Sequence, residues 1–400
     1  MLDYYSSRYE IAKIFGVSEG AVRNWIKKTL NKEIYLQLTE VDGVQHILKN
    51  EHNWLIMTEQ AEKGRKHKHL ESRQVVTVSD ELYKILDDNQ LIGLINSLEV
   101  SKKIPHKLVY LNKGADLWEK FYERTLQDTT YQTTSSDLYF FENQYRLIKD
   151  TINTESKINV VDIGGGNGEP AMPLLRQLQQ DNLLNSYTAI DISSEMLEYT
   201  KKHLIRSGIR VPTDFHVCDF EIQSLQNILF KTKYMGGARK PTIVLALGGI
   251  LFNSNDVAQT FKHVVEGLCP EDLFIVTNAL DNPSAPVNFS TFTIPEIYEL
   301  DTKVARLLNL SEDLTDNELI FNEKTRFREY NLVLQKDIDL SFKKFNHTVK
   351  LYKYDKINIW MHMKDTFESI NQTANTLNVG LRAVIKHPVF DNVMYAMSRK

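Results

Sequence analysis

The chain is poor in the residues that usually impose a special architecture. Its 400 residues hold two cysteines, 17 glycines and 10 prolines, where average usage gives roughly 28 glycines and 20 prolines. Cys218 and Cys269 sit in no CxxC or metal-ligand spacing, which argues against a disulfide scaffold and a cysteine-built metal site. Apolar runs never reach the length of about 18 residues that a membrane helix needs. Neither charge sign dominates: 48 basic residues face 52 acidic ones, a net charge of -4. That balance excludes a protein whose main task is to coat nucleic acid, while leaving room for a small basic module. The opening MLDYYSSRYE lacks the apolar core of a secretion signal, and a reducing cytoplasm is the expected compartment.

What is present is ordinary globular material, 42% hydrophobic and 25% charged, long enough for two to three domains at about 150 residues each. Residues 1–73 open with two short helical patterns and end in the basic stretch Lys63 to His69. Residues 74–150 read as helices, with a start signal at Val78-Ser79-Asp80-Glu81. From Ile158 the apolar runs INVVDI, SYTAID, TIVLAL and EDLFIVT alternate with helical segments. Strands alternating with helices predict a doubly wound, mostly parallel α/β sheet. The core is expected over 151–282. Residues 283–345 break the alternation, opening on Pro283, Pro286 and Pro295, and include the strand-like Phe327 to Leu334. They are expected to form an α+β substrate-covering insertion. Residues 346–400, with strand-like Val379 to Ile385 and Val393 to Met397, are expected to complete the core sheet.

Because glycine is scarce, its one cluster carries weight. Val160-Val161-Asp162-Ile163 is a buried strand running into Gly164-Gly165-Gly166-Asn167-Gly168, and a helix follows. Glycines at such a turn let backbone approach a ligand closely. No Lys-Ser or Lys-Thr follows, which excludes a P-loop, and the third glycine of the dinucleotide fingerprint is missing. An acid just before the loop, Asp162, would repel a pyrophosphate and suits a ligand with a cationic amino group.

Asp162, Gly164, Gly166 and Gly168 resemble the first motif of class I S-adenosylmethionine-dependent methyltransferases. Asp191 ends the second strand, 25 residues after Gly166, where a carboxylate can accept both ribose hydroxyl hydrogens. The resemblance implies that Asp219 accepts from the adenine amino group and that Phe220 packs on the ring. It also implies that Leu247 and Gly248, at the end of the fourth strand, face the methyl donor. Methyl transfer is an in-line displacement governed by alignment and exclusion of water. Glu169, His216 and His362 are the candidate bases, should the acceptor need one; spacing singles out none of them. The amino-methylating DNA enzymes carry a [DNS]PP[YFW] motif where this chain has Gly248-Gly249-Ile250-Leu251, so base methylation is disfavoured. Cys269-Pro270 reverses the Pro-Cys of cytosine C5 enzymes, and Cys269 reads as structural.

Outside these motifs the chain resembles the histidine-specific Nα-methyltransferases of the ergothioneine pathway. Tyr110-Leu111-Asn112-Lys113-Gly114-Ala115-Asp116-Leu117-Trp118 is similar to that family's YDxxGSxLF segment. Cys218-Asp219-Phe220-Glu221 resembles its Gly-Asp-Phe-Glu, and Gly248 to Asn253 its Gly-Ser-x-x-Gly-Asn. The resemblance implies that Tyr131 and Asn253 hold the substrate's amino and carboxylate groups. The competing readings are a helix-start signal for Asn253 and packing at a domain seam for Tyr131. Val349 and Leu351 stand where the family has an imidazole-binding Glu-x-Ser, and the family's lysine in the glycine loop is absent, with Pro170 near its position. The expected acceptor is therefore an amino acid or amine-bearing metabolite, with histidine itself a poor one.

At the front, Ser7-Arg8-Tyr9-Glu10 has capping-box form, Gly16-Val17 makes a turn, and Ser18 caps a second helix. Ala12, Gly16, Val22 and Trp25 have helix-turn-helix spacing, resembling the MerR and excisionase-like group. The resemblance implies that Arg23, Asn24, Lys27 and Lys28 face DNA. A helical hairpin used for dimerisation or packing is the competing reading. The alternative to a small-molecule enzyme is thus a DNA-binding regulator, or a nucleic-acid-targeted methyltransferase, using S-adenosylmethionine as signal or donor.

Overall fold

The computed structural model describes residues 4–5, 7–41, 43–68, 73–127, 132–254, 256–281, 294–364 and 366–400. Tyr131 and the prolines 283 and 286 lie outside these residues. Fifteen strands are present among the described residues: β1 (Leu38–Val41), β2 (Val44–Ile47), β3 (Gln74–Thr77), β4 (Ile158–Ile163), β5 (Leu184–Asp191), β6 (Thr213–Val217), β7 (Thr242–Ala246), β8 (Leu273–Ala279), β9 (Thr315–Asn322), β10 (Phe327–Leu334), β11 (Ile338–Phe342), β12 (His347–Leu351), β13 (Lys356–Met363), β14 (Val379–Lys386) and β15 (Asn392–Arg399). The chain divides into two compact units. One comprises Met1–Thr77 with Val333–Asp355, the other Val78–Leu332 with Lys356–Lys400.

In the first unit, Ser7 caps helix Arg8–Phe15 by accepting from Glu10 N at 3.1 Å, and Gly16 ends it in the left-handed conformation. Ser18 caps helix Glu19–Leu30 by accepting from Ala21 N at 3.2 Å. The expected capping box is thus half built; the Glu10 carboxylate pairs with Lys49 instead. Ile11, Ala12, Phe15, Val22 and Trp25 form a common core with Ile47 and Met57. The antiparallel hairpin β1–β2 follows. Buried Asn53, on helix Glu51–Lys68, stitches that hairpin by accepting from Gln37 N and donating to the Gln37 and Leu48 carbonyls. β3 then pairs in parallel with β11, which pairs antiparallel with β12. Arg73 anchors this sheet through Asp339 at 2.5 Å and over the ring of Tyr352. The boundary expected at 345/346 falls inside the β11–β12 connection, because these strands find their partner in the N-terminal segment.

The second unit is built on a seven-stranded sheet of order β14-β15-β8-β7-β4-β5-β6. β4 through β8 are parallel, while β15 runs antiparallel to β8 and β14 antiparallel to β15. The apolar runs read from the sequence are these central strands; β4 and β7 are buried along their whole length, as expected of strands covered on both faces. Helices Gln226–Lys233, Val257–Val265 and Phe367–Thr376 pack on one face with Val161, Val244 and Phe274. Helices Tyr145–Ile152, Met172–Gln180 and Ser194–Arg206 pack on the other with Val160, Ile243 and Ile275. The sheet is therefore doubly wound. β13, β10 and β9 form a further three-stranded sheet. The helix start expected at Val78–Glu81 gives only the short helix Leu82–Ile85; the full capping box belongs to Asp87 and Gln90, opening helix Asp88–Val100. Among the described residues no helix is long and apolar enough to cross a membrane, and no cluster of His, Cys, Asp and Glu has metal-site geometry.

Candidate active site

The parallel strands all end on one edge of the sheet, where open α/β folds place their ligands. There the glycine run leaves β4 with Gly164, Gly166 and Gly168 at φ of 59°, 57° and 76°, a conformation other residues rarely adopt. A cleft with about 1140 Å³ of free space, partly open to solvent, lies against this loop. Gly164, Gly166, Asp191, Asp219, Phe220, Leu247, Gly248 and Asn253 all line it. The fold thus brings eight of the singled-out residues together.

Asp162 and Gly168 are placed differently. The Asp162 carboxylate lies beneath the loop: a Cβ on Gly165 would come within 2.3 Å of it, and the Tyr187 hydroxyl donates to it at 2.8 Å. Burial pushes its pKa up to about 7, the Tyr187 hydrogen bond pulling down and the Asp191 charge adding to the rise. It braces the loop from below instead of facing the cleft. Gly168 meets Thr200, whose hydroxyl donates to Gly166 O at 2.8 Å, so it lets helix Ser194–Arg206 close on the loop.

Asp191 accepts from Gly166 N at 3.2 Å and Ser193 N at 2.9 Å. Burial raises its pKa to about 6 against the pull of these N–H groups. Asp219 is held at 2.6 Å by Lys107, which also reaches Glu221 at 3.0 Å. Gly248 N donates to the Thr277 hydroxyl at 2.9 Å. Asn253 Oδ1 lies 2.7 Å from His362 Nδ1. Burial and the nearby Arg328 and Lys364 charges hold His362 well below its usual pKa, so the ring is neutral and donates to Asn253 through Nδ1–H.

The other two candidate bases are committed elsewhere. Glu169 and Glu119 flank His203 at 2.7 and 2.9 Å, and their hydrogen bonds raise that imidazole's pKa to about 9. His216 pairs with Asp214 at 2.9 Å on the edge strand β6 and does not line the cleft. Val349 and Leu351, on which the expectation of poor histidine use rested, are buried in the sheet of the other unit; neither is a cleft residue. Tyr131 lies outside the described residues. Arg23, Asn24 and Lys27 are exposed and Lys28 half-buried on helix Glu19–Leu30.

Sequence reasoning missed Lys107, Tyr122 and Asp137, which also line the cleft. Asp137 carried a readable signal. Helical spacing puts it on the same face as Phe140 and Phe141, both fully buried, and an acid on a buried helix face needs a reason. Tyr110 and Trp118 form a wall of the cleft, their rings edge-to-face at 5.7 Å.

The reversed β14–β15 hairpin beside five parallel strands, with a glycine-looped cleft at their carboxyl ends, defines a class I S-adenosylmethionine-dependent methyltransferase. The family model described as "Histidine-specific methyltransferase, SAM-dependent" matches residues 89–397. The chain belongs to that family: it is a methyltransferase, and its cofactor is S-adenosylmethionine. A comparison with curated proteins gives no match. Among solved structures, the chain is similar to an S-adenosylmethionine-dependent methyltransferase from Clostridium acetobutylicum ATCC 824, at 12% identity, TM-score 0.37, over 70% of this chain and 98% of that one. It is also similar to a sugar N-methyltransferase from Streptoalloteichus sp ATCC 53650, at 9% identity, TM-score 0.36, over 71% and 93%. A third is the magnesium protoporphyrin IX methyltransferase from Synechocystis PCC 6803, at 11% identity, TM-score 0.35, over 78% and 100%.

Proposed function

We propose that the chain methylates a small amino acid or amine-bearing metabolite in this cleft. The observation that carries the reading is the order of groups along the sheet edge: Asp219 and Phe220 after β6, Asp191 at β5, the glycines after β4, then Leu247, Gly248 and Asn253 after β7. These residues suit the cofactor. Asp191 offers a carboxylate to a ribose diol, Phe220 a face to a purine, and the open loop a backbone cradle. When bound, the cofactor supplies an electrophilic methyl group on a sulfonium. Phe220, Asp191 and the loop fix its position, and Tyr110, Trp118 and Tyr122 exclude water. Asn253, its Oδ1 engaged by His362, presents its NH2 to an acceptor's carboxylate.

The test is calorimetric titration of S-adenosylmethionine into wild type and Asp191→Ala, followed by a screen of amino acids and biogenic amines, histidine included, for S-adenosylhomocysteine formation. Micromolar binding by wild type, weakened at least tenfold in Asp191→Ala, is expected. Failure of wild type to bind would overturn the reading.

A second role in DNA contact is favoured by one observation. Arg23, Asn24 and Lys27 lie exposed on the second of two capped helices that precede a β-hairpin, the arrangement of a helix-turn-helix reader. A gel shift at about 100 mM salt tests it. A micromolar complex lost in Arg23→Glu/Lys27→Glu is expected; absence of any complex removes this role.

A further inference from the structure

Asp137 sits on helix Gln132–Asn143, lines the cleft and is only 2% exposed. The Thr277 hydroxyl, and the Gly248 N–H that donates to it, lie beside its carboxylate, placing it beside the end of β7, and its Oδ1 has no hydrogen-bond partner. A buried carboxylate with an open oxygen is costly unless a cation or donor completes it. The cost is felt: burial and the like charge of Asp162 raise the Asp137 pKa to about 7, against the pull of Thr277 and Gly248.

The order of the sheet says what comes there. A cofactor whose adenine lies by Phe220 at β6 and whose ribose lies by Asp191 at β5 extends past the β4 loop toward β7. Its amino-acid end, with an ammonium group, arrives where Asp137 stands. Among the cleft's other carboxylates, Asp219 and Glu221 share the Lys107 ammonium and Asp191 accepts two backbone N–H groups. We propose that Asp137 is the seat of the cofactor's α-ammonium group. This rests on the cleft being the S-adenosylmethionine site. The ammonium brings three donors, one of which fills the open Oδ1 as a charge-assisted hydrogen bond.

The experiment compares two ligands by calorimetry. S-Adenosylhomocysteine carries the ammonium; 5′-methylthioadenosine keeps the adenosine and sulfur but lacks the amino-acid end. In Asp137→Asn, affinity for S-adenosylhomocysteine is expected to fall about 10–100-fold, with 5′-methylthioadenosine affected less than about twofold. Unchanged S-adenosylhomocysteine affinity overturns the proposal. So does a parallel loss for both ligands, which marks a merely structural role. If Asp137→Asn does not fold, Asp137→Glu, which keeps the charge but moves it by one methylene, is measured with the same pair and read the same way. A wild type that binds neither ligand refutes the cofactor site itself, a result distinct from these.

Discussion

At the residue scale, the cleft is governed by groups whose charge is set by burial. His362 is neutral and bonds Asn253, so it acts on an acceptor only through the orientation of that amide. His362→Phe is therefore expected to raise the acceptor's KM at least tenfold. The S-adenosylhomocysteine Kd should stay within about twofold of wild type; a matched loss of cofactor affinity would contradict this division. The acids give a second expectation. Asp137 and Asp162 are raised to about 7 and Asp191 to about 6, whereas an unfolded chain ionises near 4. Between those values the folded state holds more protons, so stability falls as pH rises. His203, raised to about 9, adds a loss of the same sign between about pH 6.5 and 9. The melting temperature of the ligand-free protein should decline from about pH 5.5 to 8, with a shallower slope in Asp137→Asn. An equal slope would show that Asp137 does not titrate there. None of this was open to sequence reading. A pKa depends on what burial brings together, and the partner of Asn253 lies 109 positions away.

At the scale of elements, much of the second unit was legible. Its central strands are short apolar runs between helical periods, and the glycine loop follows the first. The segment Tyr110 to Trp118 was legible only as a resemblance. Its physical reason is Gly114: a Cβ there would lie 1.7 Å from the Val109 carbonyl oxygen. That carbonyl also accepts from the buried Lys303 ammonium, so it has no freedom to retreat. Gly114→Ala is expected to cost at least about 1–3 kcal/mol by overpacking, seen as a melting temperature several degrees lower. Because Trp118 follows on the same helix, Lys113–Gln127, cofactor affinity should weaken as well. An unchanged melting temperature would mean that the backbone gives way freely. Asp162 shows the opposite limit of the motif. Its position before the glycines was plain, but whether the side chain turns up into the cleft or down to Tyr187 depends on the packing of β5 beside β4.

At the scale of the molecule, the two units were not legible as drawn, because one of them is discontinuous. Hydrophobic pattern identifies β11 and β12 as strands but cannot say that β11 pairs with β3. The consequence for truncation is specific. A chain begun at residue 69 loses the two-helix core but keeps β3, and should bind S-adenosylhomocysteine within about twofold of the full chain. A chain begun at Val78 strips β3 from β11 and opens a strand edge, which invites association. It should elute as aggregate in size-exclusion chromatography; a monodisperse product would show that this edge is harmless.

The same discontinuity sets a clock for the newborn chain. Arg73 and Ile338, which meet through a hydrogen bond, are 265 positions apart. At a synthesis rate of about 5–20 residues per second, that is a wait of roughly 13–50 s. The leading helices and hairpin, whose core lies between Tyr5 and Ala61, have all their partners at once and need not wait. β3 does: it leaves the ribosome as a solitary strand and acquires its neighbour only after the five parallel strands of the methyltransferase sheet have been made.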